Sequence, residues 1–277
     1  YSSKSLKIGG GMYVGGKSVV EAHHLHVKDC KALNGGGVYV DGYSSFLART
    51  SLLEKNTAVV GGGAMVVSSQ SSATFESCNV ISNIADEGGH VKVADGSMFW
   101  AKSSVFKTAR ATRKGGAIAV VTGGTSTLLA SYFEGNKGTY GAAVFVDGCK
   151  VEIKRCHFLR NSAGAYGYGG ALYTEKQAEV RLNDTGLVDN FAAFGGAWYL
   201  TQVAKGTVYN ATFEKNEAMY DGGSIFSDNS LFDLADSNCN HNEARDNGGA
   251  IMLESGAHIN VLRTEFHHNA VGGKQAA

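Results

Sequence analysis

Few of the side chains in this sequence that could do chemistry stand at spacings that would let them act together. His241 and His268 recur one repeat apart with His267 beside the second, and His23, His24 and His26 form an earlier group. A zinc-type centre needs three or four nitrogen, oxygen or sulfur donors converging on one point. No cysteine or carboxylate completes either set at a recurring spacing, so no metal and no cofactor are expected. Cleavage of a polysaccharide asks for two carboxylates on one face, or for an acidic calcium site with a basic partner. Asp41, Asp95 and Asp147 each open an Asp-Gly pair, which is turn chemistry, and their repeats are not adjacent. No catalytic residue is therefore expected, and a polysaccharide-active lyase or hydrolase is the alternative reading. Lys107, Arg110, Arg113 and Lys114 crowd one turn, where they either stay solvated or hold a sulfated, carboxylated or phosphorylated group.

Aromatic residues give the stronger signal. Phe145, Tyr173, Tyr199, Phe226 and Met252 follow one another at steps of 26 to 28 residues, with Tyr13 and Tyr39 at the same place earlier. Read as outward residues of successive strands, they form a flat ridge of the kind that marks a contact surface for protein or for sugar rings. The competing reading is stacking across strands that only stabilises a sheet. Tyr140, Tyr168 and Phe194 recur as a second aromatic row, and Tyr166 and Tyr168 lie in the segment Ser162–Tyr168 that lengthens one repeat. Such bulges often line the binding side of a repeat protein. Changing Tyr173 and Tyr199 to Lys is expected to leave folding intact and to weaken association. Asn183-Asp184-Thr185 and Asn210-Ala211-Thr212 match the N-glycosylation signal.

The elements that carry these residues are set by an internal repeat. Gly-Gly or a close copy starts at Gly9, Gly35, Gly62, Gly88, Gly115, Gly141, Gly169, Gly195, Gly222, Gly248 and Gly272. A fixed period of this length means a solenoid. After each pair, alternating apolar residues such as Ile118 and Val120 mark an inward-facing strand. A second alternating pair follows (Val151 and Ile153), then a column of small residues (Ser104, Ser131, Cys156) and a large apolar column (Phe106, Phe133, Phe158). Asn56, Asn83, Asn136, Asn161, Asn190, Asn216, Asn242 and Asn269 close each repeat, with Ala109 filling one gap. An inward amide at a corner can bond the amides above and below it, and losing an inner one such as Asn190 is expected to break two such bonds.

These columns predict an all-β chain: a right-handed parallel β-helix of about eleven three-strand coils, a single domain over residues 1–277. At one strand spacing per coil it would be a rod of roughly 50 Å. The hand follows from the chirality of parallel crossovers. Proline is absent and glycine numbers 38, as suits strands paired on both sides. The 25 basic and 25 acidic residues balance, so nucleic acid is not an expected partner, and no apolar run is long enough for membrane insertion. The five cysteines show no CxxC spacing and read as small buried apolar residues. Tyr1–Lys4 and Gly272–Ala277 look like neither a capping helix nor a polar lid, so both ends are expected to continue or to meet a neighbour.

Gly169-Gly170-Ala171-Leu172 and Phe213-Glu214-Lys215-Asn216 reproduce the paired GGA[ILV] and FxxN motifs. By these the chain resembles the repeat region of the chlamydial polymorphic outer membrane proteins, over nearly its whole length. In that group such regions are surface adhesins carried outward by a C-terminal barrel, which this sequence does not show. The resemblance implies an extracellular or cell-surface rod whose partner is a protein, its own copies in a fibre, or a surface glycan. A phage-type fibre would instead be trimeric with axial contacts.

Overall fold

The computed structural model describes residues 7–272; the two terminal stretches expected to lack caps lie outside them, apart from Gly272. Each turn of the chain contributes one strand to each of several parallel sheets. The first sheet runs from Met12–Val14 to Ile251–Glu254, the second from Val19–His23 to His258–Leu262, and the third from His26–Lys28 to Glu265–His267, each of ten strands in sequence order. Ten of the eleven expected coils are thus seen, and the Gly272 copy stands at the edge of the described residues.

The expectation of three strands per coil needs correcting. A fourth sheet forms between the asparagine corner and the next Gly pair. It is split into a four-strand piece from Lys31–Asn34 to Arg110–Lys114 and a five-strand piece from Ser162–Tyr168 to Ala270–Val271. Isolated bridges through Lys137 and Tyr140 join the two. Its inward column is mostly alanine, with Ala58, Ala85, Ala192, Ala218 and Ala244 buried. A column of alanines shows no apolar alternation to read.

In-register stacking places like on like in several columns of the core, while in the second sheet Phe46 and Phe75 meet alanines. Phe106, Phe133 and Phe158 stack at 4.8 Å centroid spacing with planes 4° and 10° apart, matching the distance between paired strands. The asparagine column is a ladder interrupted once, at Ala109. Asn161 Nδ2 donates to Phe133 O at 3.0 Å and to Asn190 Oδ1 at 3.0 Å. Its own Oδ1 accepts from Asn136 N at 3.1 Å and Asn136 Nδ2 at 2.9 Å. Each rung from Asn161 to Asn242 therefore makes four side-chain bonds rather than the expected two, because the amide also serves the backbone that turns the corner. Hydroxyls do the same at the other corners: Ser104 Oγ accepts from Cys78 N, and Ser71 Oγ from Ser44 N, both at 3.1 Å. These bonds satisfy buried N–H groups that the sheets leave unpaired.

The Gly pairs answer two steric demands. The first glycine lies in the left-handed region, as at Gly195 with φ +62, where a Cβ is disfavoured. A Cβ on the second, Gly196, would collide with the carbonyl oxygens of Gly223 and Glu217.

Candidate functional site

The left-handed turn at the first glycine folds the chain back so that, from Tyr140 to Phe194, the ring before the pair packs on the outward residue one coil further on. The predicted ridge is therefore not an open surface. Phe145, Tyr173 and Phe226 are 0%, 6% and 3% exposed, and Tyr199 and Met252 are half-buried. Ridge rings stack parallel, Phe145 on Tyr173 at 5.5 Å, Tyr173 on Tyr199 at 5.4 Å and Tyr199 on Phe226 at 5.0 Å. A second stack, Tyr140–Tyr168–Phe194–Tyr220, runs alongside at 5.6, 5.4 and 5.1 Å. The two meet edge to face: Tyr140 on Tyr173 at 5.3 Å, Tyr168 on Tyr199 at 5.1 Å, Phe194 on Phe226 at 5.6 Å. Such pairs contribute about 0.5–1.5 kcal/mol beyond their burial. Eight rings thus form a second small core outside the main one. Tyr220 was not foreseen, because a bulge sets Asp221 rather than Tyr220 in register with Phe194.

Of the predicted contact residues, Tyr166 alone stands fully out, at 87% exposure, on the strand Ser162–Tyr168 that carries the insertion. The two sequons occupy different places. Asn183 ends a strand of the second sheet and is half-buried, and its Thr185 points inward, donating to Asn183 O at 2.9 Å. Asn210 sits exposed in the following turn with φ +50, its Nδ2 donating to Asp184 Oδ1 at 2.7 Å, and its Thr212 faces out.

Two further expectations change. The carboxylates of adjacent coils do meet: Asp147 and Glu175 are register partners on the first sheet. Asp-Gly spacing hid this, since it likened Asp147 to Asp95, whereas the residue in Asp147's own column in Asp95's coil is Ala94. Lys176 Nζ lies 2.7 Å from Asp147 and 3.4 Å from Glu175, and Lys114 Nζ lies 3.7 Å from Glu175. Tyr173 Oη donates to Glu175 at 3.2 Å. Burial, and then the Glu175 charge, push the Tyr173 hydroxyl pKa far up, so it serves as a donor. Lys114 Nζ also sits 4.4 Å over the Phe145 ring, a cation–π contact.

The basic turn is not an open anion site either. Arg113 Nε donates to Asp86 at 2.7 Å, and Lys107 lies 2.7 Å from Glu134. The carboxyls respond: the Arg113 hydrogen bond holds Asp86 below the usual range, and the Lys107 hydrogen bond does the same for Glu134. His241 and His268 stack at 4.8 Å, and among the described residues no three His, Cys, Asp or Glu side chains group as a metal set.

The main residue that went unsingled in the sequence is His90. It is fully buried at a position where other coils carry Gly, Ala or Ser. It fills the gap left by Ala109 in the ladder, its Nδ1 2.9 Å from Asn83 Nδ2 and its Nε2 3.1 Å from Lys107 O. The signal was present as a paired anomaly, a large polar residue where small ones recur and an alanine where asparagine recurs.

A model of the right-handed beta helix region matches residues 10–213. The chain belongs to this right-handed β-helix family. The match spans most of the stacked coils, including the basic turn, the insertion and both sequons, and it agrees with the hand expected from parallel crossovers. Comparison with curated proteins finds no match. No helix of the described residues is long and apolar enough to cross a membrane.

Proposed function

We propose that this β-helix is a non-catalytic extracellular rod of the polymorphic outer membrane protein type, which stiffens itself and presents side chains for adhesion. The observation that carries this reading is the paired aromatic stack from Tyr140 to Phe226. Its rings are spent on one another, which ties five coils together along the outside of the main core. Stiffness matters for such a rod, since contacts held at fixed spacing add along the axis with little ordering cost. With the ridge covered, the contact surface is the insertion bearing Tyr166. Its partner is a protein, a second copy or a surface glycan. Adhesion to cells by beads coated with the protein tests this, together with Tyr166→Lys. The substitution should reduce adhesion severalfold without altering stability. Unchanged adhesion would remove the bulge as the contact, and no adhesion by the wild type would remove the adhesive reading.

One observation favours a second reading, a polysaccharide-active enzyme: Asp147 and Glu175 lie on adjacent coils with Tyr173, Lys114 and Lys176 around them. Release of reducing ends or unsaturated uronates from neutral and acidic polysaccharides, lost in Glu175→Gln, would establish it.

A further inference from the structure

The neighbours of His90 dictate its protonation. Asn83 Oδ1 accepts from Asn56 N at 2.8 Å and from Asn56 Nδ2 at 3.0 Å, so the Asn83 amide is held one way round. One Nδ2 hydrogen goes to Leu53 O at 2.9 Å and the other to His90 Nδ1 at 2.9 Å. Nδ1 must then be bare, and Nε2 must carry the proton that it donates to Lys107 O at 3.1 Å. An imidazolium would set N–H against N–H.

No charged side chain offers relief. His90 faces the Phe106 ring at 6.0 Å and the Ala109 gap, and its backbone pairs with Ala64 and Ala117. The nearby titratable groups are engaged with one another outside the wall: Lys92 with Glu87 at 2.7 Å, Lys107 with Glu134 at 2.7 Å, and Arg113 with Asp86 and Glu87.

We propose that the coil around His90 is an acid-labile joint: on protonation the Asn83–His90–Lys107 bridge parts and the rod loosens there, while coils with the regular ladder stay closed. Burial lowers the imidazole's pKa from 6.5 to about 3 in the closed coil. An opened coil frees it to bind a proton near 6.5. The advantage of the closed form is therefore complete above about pH 6.5 and is lost progressively as pH falls toward 3. At pH 4.5 the opening constant should be roughly a hundred times its value at pH 7.5.

Hydrogen–deuterium exchange of the whole chain at the two pH values tests this. Peptides over 79–110 are compared at each pH with peptides over 180–240, which hold an unbroken ladder and share the change in intrinsic rate. The ratio of exchange should rise by up to roughly a hundredfold at pH 4.5. It should stay flat in His90→Ala with Ala109→Asn, which restores the regular rung. A flat ratio in the wild type overturns the joint whether or not the double variant folds, and so does a rise that persists in a folded double variant.

Discussion

Replacing Asn216 by Ala removes one rung of the ladder and measures what a rung contributes. Asn216 Oδ1 accepts from Asn190 N and Asn190 Nδ2, both at 3.0 Å. Its Nδ2 donates to Leu187 O at 2.9 Å and to Asn242 Oδ1 at 3.0 Å. Asn242 Oδ1 would keep a partner, the Asn216 backbone N–H at 3.0 Å. The two Asn190 donors lose theirs, and Asn190 is fully buried. Each orphaned donor costs about 1–3 kcal/mol, so the expected loss is roughly 2–6 kcal/mol. His90 suggests a rescue, because Asn190, Ala197 and Glu214 stand to one another in sequence as Asn83, His90 and Lys107 do. Ala197→His alone should overpack a full ladder and cost about 1–3 kcal/mol. Combined with Asn216→Ala, it should give one Asn190 donor an acceptor and recover about 1–3 kcal/mol at pH 8. Guanidinium denaturation of the wild type, both single variants and the double variant yields the coupling energy. A loss below about 1 kcal/mol in Asn216→Ala would refute the worth assigned to the ladder. A coupling within about 0.5 kcal/mol of zero would refute the equivalence of the histidine and asparagine rungs.

The aromatic pair of stacks predicts that Tyr173→Lys destabilises the rod by about 2–4 kcal/mol. The change empties a buried ring site and sets a second ammonium near Lys114; denaturation equal to wild type would return the ridge to the surface. Burial holds the Cys156 thiol up at about 11 and Cys239 at about 12, and also raises Cys78 and Cys149. A thiol reagent at pH 8 should therefore label Cys30 first and the other four only after denaturation; two or more fast thiols would contradict the packing. Secreted from a eukaryotic cell, the protein should carry glycan at Asn210 in preference to Asn183, since only Asn210 has both its amide and its following hydroxyl facing out. Glycopeptide masses showing Asn183 modified and Asn210 bare would reverse that assignment.

What could be read from the sequence divides along a physical line. A parallel stack in register sets each inward position against the same position one coil away, so Phe106, Phe133 and Phe158, or the successive asparagines, announce their contacts by period alone. Outward residues answer to no such rule. Tyr173 looked exposed because alternation places it outside the sheet. Whether it meets water depends on Tyr140 and Tyr168, which reach it around a corner whose path is set by left-handed glycines. Alternation gives the face of a strand and is silent on what folds over that face. The fourth sheet escaped for a related reason, since its inward column is alanine and leaves no contrast to detect. His90 lies between these cases. Neither its burial nor the loss of asparagine at Ala109 means much singly, but in a repeat every departure must be made good by a neighbour, because the donors of adjacent coils are fixed. Two departures within one coil, one losing an amide and one gaining an imidazole, therefore point to a single contact with the coil before. Departures that coincide within one coil are the place to look for pairing in a solenoid, while departures without a match, such as the bulge at Tyr166, are the place to look for function.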